Sequence, residues 1–179
     1  NGFLEDYSNV IDAFITLYEA TFELVWIKKA NQLMDFTIAH FFDDKSKMFF
    51  FTDKDTDLIT RKLEVNDNVI PASNSIMAKN LFRLSKFNHL TKYKEMSKQM
   101  LSNIYDQMVT YGSAYSNWGM LALSFTEPFY EVAINGEDAA EKRFELGTYY
   151  IPNALFAGGK EMNIPFLEDK SFTAESTFY

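Results

Sequence analysis

The chain has 179 residues, of which 47% are hydrophobic and 17% aromatic, so it can bury a large core within one domain. Its net charge of −8 argues against a nucleic-acid partner, because phosphate binding needs clustered Lys and Arg. It has no cysteine, which excludes disulfides and thiolate chemistry within these residues. No apolar run approaches the ~18 residues of a membrane span and no secretory signal pattern is visible, so we expect no membrane partner and a cytoplasmic location.

Apolar residues recur at helical spacing along most of the chain. This spacing predicts five amphipathic helices, over residues 6–21, 23–42, 75–87, 92–110 and 114–125. The connection between the first two helices is very short, which predicts an antiparallel helical hairpin. After the second helix, a turn over residues 43–47 leads into a short β-like run at 48–52.

The pattern changes near the C-terminus. Tyr130, Val132 and Ile134 alternate with more polar or smaller residues, which predicts a strand. Residues 137–147 then predict a helix and residues 153–157 a second strand. The tail from Gly158 to Tyr179 has little periodicity and is predicted to be irregular. The sequence therefore predicts a helical-hairpin domain over 1–128, with a small β-α-β appendage and tail over 129–179 packed on it.

A dense polar run separates the second and third helices. It extends from Glu64 to Ser75 and gathers two carboxylates, three amides and two hydroxyls around Pro71. Pro71 disfavours helix at the residue before it, and Ser73 or Asn74 can cap the helix that follows. One interpretation is a polar capped loop. The other is a polar pocket at a helix N-terminus, where partial positive charge gathers.

The predicted topology brings several helix starts together. Because consecutive hairpin helices alternate in direction, the first, third and fifth helices run parallel and begin at one end of the bundle. The polar run and the aromatic β-like segment join that same end. Acidic and amide groups beside aromatic rings suit sugars, since hydroxyls bind carboxylates and sugar C–H faces pack on rings.

Three stretches together resemble a known family. They are Gly-Phe-Leu-Glu-Asp-Tyr at 2–7, Leu-Tyr-Glu-Ala-Thr at 17–21 with Trp26 following, and Asp-Asn-Val-Ile-Pro-Ala-Ser-Asn-Ser at 67–75. The chain resembles the YyaL-like family, which is related to spermatogenesis-associated thioredoxin-domain proteins. The resemblance spans nearly the whole chain. It implies a preceding thioredoxin-like domain and an (α/α)6 toroid similar to six-hairpin glycosidases and N-acylglucosamine 2-epimerases. This chain would hold roughly the second half of that toroid, three of its six hairpins.

Two carboxylates are the candidate catalytic residues. Asp67 lies in the polar run and can act as general acid or base, or bind a sugar hydroxyl. Asp6 precedes the first helix and either faces the toroid cavity or caps the helix. A glycosidase needs two carboxylates, about 5–5.5 Å apart for retention or about 6.5–9.5 Å for inversion.

The candidate substrate-binding residues surround these carboxylates. Tyr7, Ser73, Asn74 and Ser75 are predicted to position the ligand, although the two serines and Asn74 can equally serve as caps. Arg61 either clamps an anionic group or pairs with Glu64. For Glu19, within the first helix, pairing with Lys28 or Lys29 is the favoured interpretation.

No cofactor and no metal site are predicted. The two histidines, His40 and His89, have no acidic or histidine partners at helical metal-ligand spacing with a third candidate nearby. The last glycines precede Lys160 without the pattern of a phosphate loop.

The sequence thus predicts a carbohydrate-handling domain whose site lies at the helix N-terminal mouth. If it is an enzyme, it is glycosidase-like or epimerase-like. The alternative is a non-catalytic helical scaffold that presents a thioredoxin-like domain to protein clients. A partial toroid would expose apolar helix faces, so we also expect the rest of the native chain or a second copy to cover them.

Overall fold

The computed structural model describes residues 2–55, 60–160, 163–168, 170 and 177–178, and these residues form a mainly helical fold with a small strand part. The described helices are α1 (Leu4–Thr21), α2 (Leu24–Phe41), α3 (Ser73–Phe87), α4 (Thr91–Thr110), α5 (Ser116–Thr126) and α6 (Ala139–Leu146). The described strands are β1 (Phe42–Asp43), β2 (Met48–Phe49), β3 (Tyr130–Asn135), β4 (Ala154–Gly159) and β5 (Thr177–Phe178). All five helices of the helical body that the sequence predicts are confirmed.

α1 pairs with α2, and α3 with α4, as hairpins, because the connections within these two pairs are only a few residues long. Phe22, in the left-handed conformation with φ 57°, ends α1 and turns the chain into α2. Polar bonds then join helices across the core. Asn80 of α3 donates to the Ser8 carbonyl of α1 over 2.9 Å. Ser97 of α4 donates to the Ala78 carbonyl of α3 over 2.7 Å. Buried amide and hydroxyl groups therefore fix how the hairpins pack, since an unpaired buried polar group is costly.

The small sheet has the order β4-β3-β5. β3 and β4 are parallel, with α6 as the crossover between them, which confirms the β-α-β prediction. β5 pairs antiparallel with β3 through Ile134 and Asn135. The prediction of an irregular tail is therefore wrong for part of that segment, because β4 extends to Gly159 and residues 177–178 add a strand. Positions 161–162, 169, 171–176 and 179 lie outside the described residues.

The sheet shares its core with the helices. Ala133, Leu155 and Ala157 belong to the same buried cluster as Phe87 of α3. The opposite face packs Ile134 against Ala139 of α6 and against Phe22, within a second buried cluster. Among the described residues, none of the helices combines the length and the apolarity that crossing a bilayer requires.

Candidate functional site

Asp67 connects the starts of two helices. Its Oδ1 accepts the backbone N–H of Ala72 over 2.9 Å and lies 2.8 Å from the Ser75 hydroxyl, both at the start of α3. Its Oδ2 accepts the backbone N–H of Asn117, at the start of α5, over 2.8 Å. The side chain is 8% exposed. A carboxylate at two helix N-termini satisfies unpaired N–H groups and complements both helix dipoles.

Glu64 completes the start of α3. Its Oε2 accepts both the backbone N–H of Ser73 over 3.0 Å and the Ser73 hydroxyl over 2.7 Å. The residue preceding the helix is Ala72, which has no capping side chain. The prediction that Ser73 or Asn74 caps this helix is therefore wrong. The capping oxygens come instead from Asp67 and Glu64, earlier in the polar run.

Asn74 joins α3 to the aromatic β-like segment, residues 48–52. Its Oδ1 accepts the backbone N–H of Phe49 over 2.9 Å, and its Nδ2 donates to the Phe49 carbonyl over 2.8 Å. The same Nδ2 lies 2.9 Å from the Glu64 carbonyl. The side chains of Ser73, Asn74 and Ser75 are all fully buried, so each is occupied by contacts within the protein.

Backbone hydrogen bonds connect the start of α1 to the same region. Leu4 donates its N–H to the Phe51 carbonyl over 2.9 Å, and Phe51 donates to the Lys62 carbonyl over 2.8 Å. The Phe3 and Phe51 rings stack with centroids 5.1 Å apart. Hydrogen bonds therefore link the starts of α1, α3 and α5 through the segments between them.

The remaining predicted site residues make contacts elsewhere. Asp6 is exposed and accepts the Phe3 N–H over 2.8 Å, as a helix-capping carboxylate does. Tyr7 packs its ring on Phe36, with centroids 5.4 Å apart. Asp6 and Asp67 thus bond to different helix starts.

Arg61 does not pair with Glu64, which was one of its two predicted roles. Its Nε and Nη2 donate to the Thr52 carbonyl over 3.2 and 2.5 Å. Its guanidinium lies 4.1 Å from the centre of the Phe50 ring. Arg61 therefore stabilises the aromatic β-like segment through Thr52 and Phe50, while Glu64 bonds to Ser73.

A polar cleft of about 610 Å³ opens at this end of the molecule. One wall is the polar run and the other is the turn between α4 and α5. The lining residues are Lys62, Leu63, Glu64, Val65, Asn66, Asp67, Asn68, Tyr111, Ser113 and Ala114. Tyr111, one of these lining residues, is 66% exposed, so it is accessible to a molecule that enters the cleft.

Two aromatic residues of the fifth helix region support the cleft and were not among the predicted site residues. Trp118 is fully buried and donates its Nε1–H to the Val65 carbonyl over 2.8 Å. The Tyr115 hydroxyl lies 2.9 Å from Gln107 Oε1 and 3.2 Å from Asn66 Oδ1. In the sequence, Tyr115 and Trp118 lie three residues apart on an apolar helix face. This pattern predicts packing in the core and does not indicate a functional site.

A second cleft lies between α1, α3, α5 and β4 and contains an ion-pair group. Arg83 bonds to Asp12 over 2.6 Å and also to Glu19. Glu19 accepts the Phe156 N–H over 3.1 Å. The prediction that Glu19 pairs with Lys28 or Lys29 is therefore wrong, because α1 turns this residue toward α3 and the sheet.

The fold also gathers three potential metal ligands. His40, Asp53 and Asp55 each offer one ligand atom, and these atoms lie within 4.8 Å of one another. They come from the end of α2 and from the loop after β2, so helical spacing in the sequence gave no signal of them.

The fold and the polar cleft define the class of this chain as a mainly helical domain with a polar mouth at its helix starts. No family model matches it. The chain is similar to spermatogenesis-associated protein 20 of Rattus norvegicus, with 36% identity over 96 residues that cover 52% of this chain and 12% of that protein. For the Homo sapiens protein of the same name, identity is 35% over 88 residues, covering 48% of this chain and 11% of that protein.

A relative with lower sequence identity covers a larger share of this chain. An uncharacterized protein of Caenorhabditis elegans is 28% identical over 110 residues, covering 61% of this chain and 15% of that protein. The similarity to spermatogenesis-associated protein 20 covers about half of this chain. The chain spans only a small part of the length of these curated relatives.

Proposed function

We propose that this chain is part of a carbohydrate-handling domain whose ligand binds in the polar cleft at the helix N-terminal mouth. The observation that carries the proposal is the lining of that cleft. Carboxylate, amide and hydroxyl groups of Glu64, Asn66, Asn68 and Ser113 stand beside the exposed ring of Tyr111. Sugar hydroxyls can hydrogen-bond to these polar groups, while the C–H face of the sugar packs on the Tyr111 ring.

Within this proposal, the buried polar residues shape the mouth. Asp67 accepts three hydrogen bonds, and Ser73 and Asn74 are bonded to neighbouring segments. A positioning role therefore fits their contacts best. The catalytic roles of Asp67 and Asp6 stay predictions, as does a ligand-binding role for Tyr7, Arg61 and Ser75. We also propose that the helical hairpins belong to an (α/α)6 toroid.

A thermal-shift screen with mono- and disaccharides and sugar phosphates tests the proposal. Wild type is compared with Tyr111→Ala and with Tyr105→Ala, a matched control because Tyr105 is a similarly exposed tyrosine of α4 outside the cleft. We expect one class of sugar to raise the unfolding temperature of wild type and of Tyr105→Ala but not of Tyr111→Ala. A panel without any shift contradicts sugar binding.

The second candidate is a non-catalytic helical scaffold that presents a thioredoxin-like domain to protein clients. Two observations favour it. The polar residues at the helix starts are engaged in bonds with neighbouring segments of the protein, and apolar side chains of α4 and α5 are exposed. Val109 is 67% exposed, Leu123 58% and Met120 55%. A contiguous patch of exposed apolar side chains marks a surface that another chain or the rest of the same chain covers, and these three residues are the candidates for such a surface.

Sedimentation of wild type and a Val109→Asp, Leu123→Asp variant tests this surface. If it binds a second copy, wild type sediments as a dimer and the variant as a monomer. If the remainder of the chain covers the surface, both remain monomeric and the variant of the whole protein unfolds at lower temperature. Equal sedimentation and equal stability would contradict a buried role for these residues.

A further inference from the structure

We propose that His40, Asp53 and Asp55 form a binding site for a divalent transition-metal ion, with zinc(II) as the best-fitting ion. One potential ligand atom from each residue lies within 4.8 Å of the other two. The site joins the last turn of α2 to the loop that follows β2. It lies apart from the polar cleft, whose lining contains none of the three residues.

The distances fit ligands that share one ion. A tetrahedral zinc ion with bonds of about 2.0–2.2 Å places its ligand atoms roughly 3.4 Å apart. His40 Nδ1 lies 3.3 Å from Asp53 Oδ2 and 3.4 Å from Asp53 Oδ1. These two ligands therefore already have the spacing that a shared ion requires, and Asp55 needs only a small side-chain adjustment to join them.

The surrounding contacts hold two ligands and leave the third adaptable. The His40 ring stacks on Phe36 with centroids 4.1 Å apart. Asp53 is 2% exposed and accepts the Asp55 backbone N–H over 3.1 Å. Lys54 donates its backbone N–H to the His40 carbonyl over 2.9 Å, which fixes the loop to the helix end. Asp55 itself is exposed and can swing onto an ion.

The donor set selects the class of ion. Imidazole suits zinc, copper, iron and nickel, while carboxylates alone suit magnesium, calcium and manganese. One imidazole with two carboxylates therefore favours a transition metal. An ion between the carboxylates also removes the repulsion that two nearby negative charges exert. The exposed side of Asp55 leaves space for water in the remaining coordination position.

The competing explanation is an ion pair between protonated His40 and Asp53 with no metal. Calorimetric titration of zinc chloride into chelator-treated, untagged protein separates the two. We expect one equivalent of zinc whose affinity falls at least ~10-fold in His40→Asn and in Asp55→Asn. His89→Asn is the matched control, because His89 is exposed and Asn tolerates its left-handed backbone, φ 50°.

Circular dichroism of the metal-free variants verifies that each is folded, and Asp55→Asn alters an exposed side chain only. Cobalt(II) serves as a spectroscopic probe, and its visible absorption should appear with wild type and His89→Asn but be lost with His40→Asn. Zinc binding that is absent in wild type, or unchanged in both ligand variants, would overturn the site. Magnesium binding as tight as zinc binding would overturn the assignment to a transition metal.

Discussion

Asp67 and Asn117 are 50 residues apart in the chain, yet a carboxylate oxygen of the first accepts the backbone N–H of the second over 2.8 Å. The other carboxylate oxygen of Asp67 bonds at the start of α3. One side chain thus ties two helix starts and one wall of the cleft together. This relationship makes Asp67 a structural anchor of the mouth as well as a candidate ligand group.

Replacing Asp67 by Asn should lower the free energy of unfolding by about 2–3 kcal/mol, because charged hydrogen-bond acceptors are lost and an amide group faces backbone donors. Denaturant unfolding measures this. The control is Asp6→Asn, which keeps a capping oxygen at an exposed position and loses only the charge near the helix start, so it should cost less than about 1 kcal/mol. Unchanged stability in Asp67→Asn would show that its carboxylate is dispensable for the fold and would favour a role in ligand chemistry.

Gly158 should tolerate no side chain. A Cβ at this position would lie 1.9 Å from the Ile134 carbonyl oxygen of the neighbouring strand, so the β3–β4 pairing would have to separate. We expect Gly158→Ala to cost roughly 2–4 kcal/mol or to prevent folding, a large effect with a named steric cause.

Gly119 provides the opposite control. It lies in α5, and a Cβ at this position would meet open space, so Gly119→Ala should stabilise the protein by about 0.5–1 kcal/mol through helix propensity. Thermal unfolding of both variants gives the comparison. Equal loss of stability in the two would contradict the close strand approach at Gly158.

Arg83 and Glu19 should show strong energetic coupling. Arg83 is 17% exposed and Glu19 12%, so water screens their ion pair only partly. Arg83→Met should cost about 1–3 kcal/mol, since it removes the cation that pairs with Asp12 and with the poorly hydrated Glu19 carboxylate. A double-mutant cycle with Glu19→Gln measures the pair itself. Additive losses would mean that the two side chains stabilise the protein independently.

Stability at acid pH should depend on Asp43. The neighbouring Ser46 side chain and the Ser46 backbone N–H, which donates to Asp43 Oδ2 over 2.9 Å, hold the pKa of Asp43 below its usual range. The folded state therefore binds fewer protons at this group than the unfolded state, so its stabilisation is present above the unfolded pKa of about 3.9 and is lost as pH falls through the lower folded value.

Asp43→Asn should accordingly flatten the fall in stability that begins below about pH 4, as the pH passes from the unfolded pKa of this group toward its lower folded pKa. The neighbouring substitution Asp44→Asn is the control, because Asp44 forms an exposed pair with Lys47. Urea unfolding at several pH values provides the measurement. Identical pH profiles for wild type and Asp43→Asn would show that the hairpin bonds are not retained in solution.

Periodicity in the sequence was enough to predict the helices, because each buries one apolar face, as Ile11, Ile15 and Tyr18 show for α1. Periodicity does not predict where a helix begins when side chains from elsewhere in the chain cap its N-terminus. α3 begins at Ser73 because Glu64 and Asp67 supply its caps from earlier in the chain. Local capping rules assign that role to the nearest hydroxyl or amide instead.

The candidate site shows the same limit. The clustering of Asp67, Ser73 and Ser75 follows from their closeness in sequence, whereas the contact of Asp67 with Asn117 depends on how the hairpins pack. The approach of His40 to Asp53 depends on the conformation of a loop. The third strand was missed because residues 177–178 are too few for alternation to be visible, and their pairing with β3 is what makes them a strand.

The most direct test of the central claim is a titration of nitrogen-15-labelled protein with the sugar class selected in the thermal-shift screen. The account predicts saturable shifts of amide resonances within 62–68 and 111–114, lost in Tyr111→Ala and retained in Tyr105→Ala. Shifts confined to other parts of the molecule, or none at sugar concentrations that saturate ordinary carbohydrate sites, would contradict a sugar site at the helix N-terminal mouth.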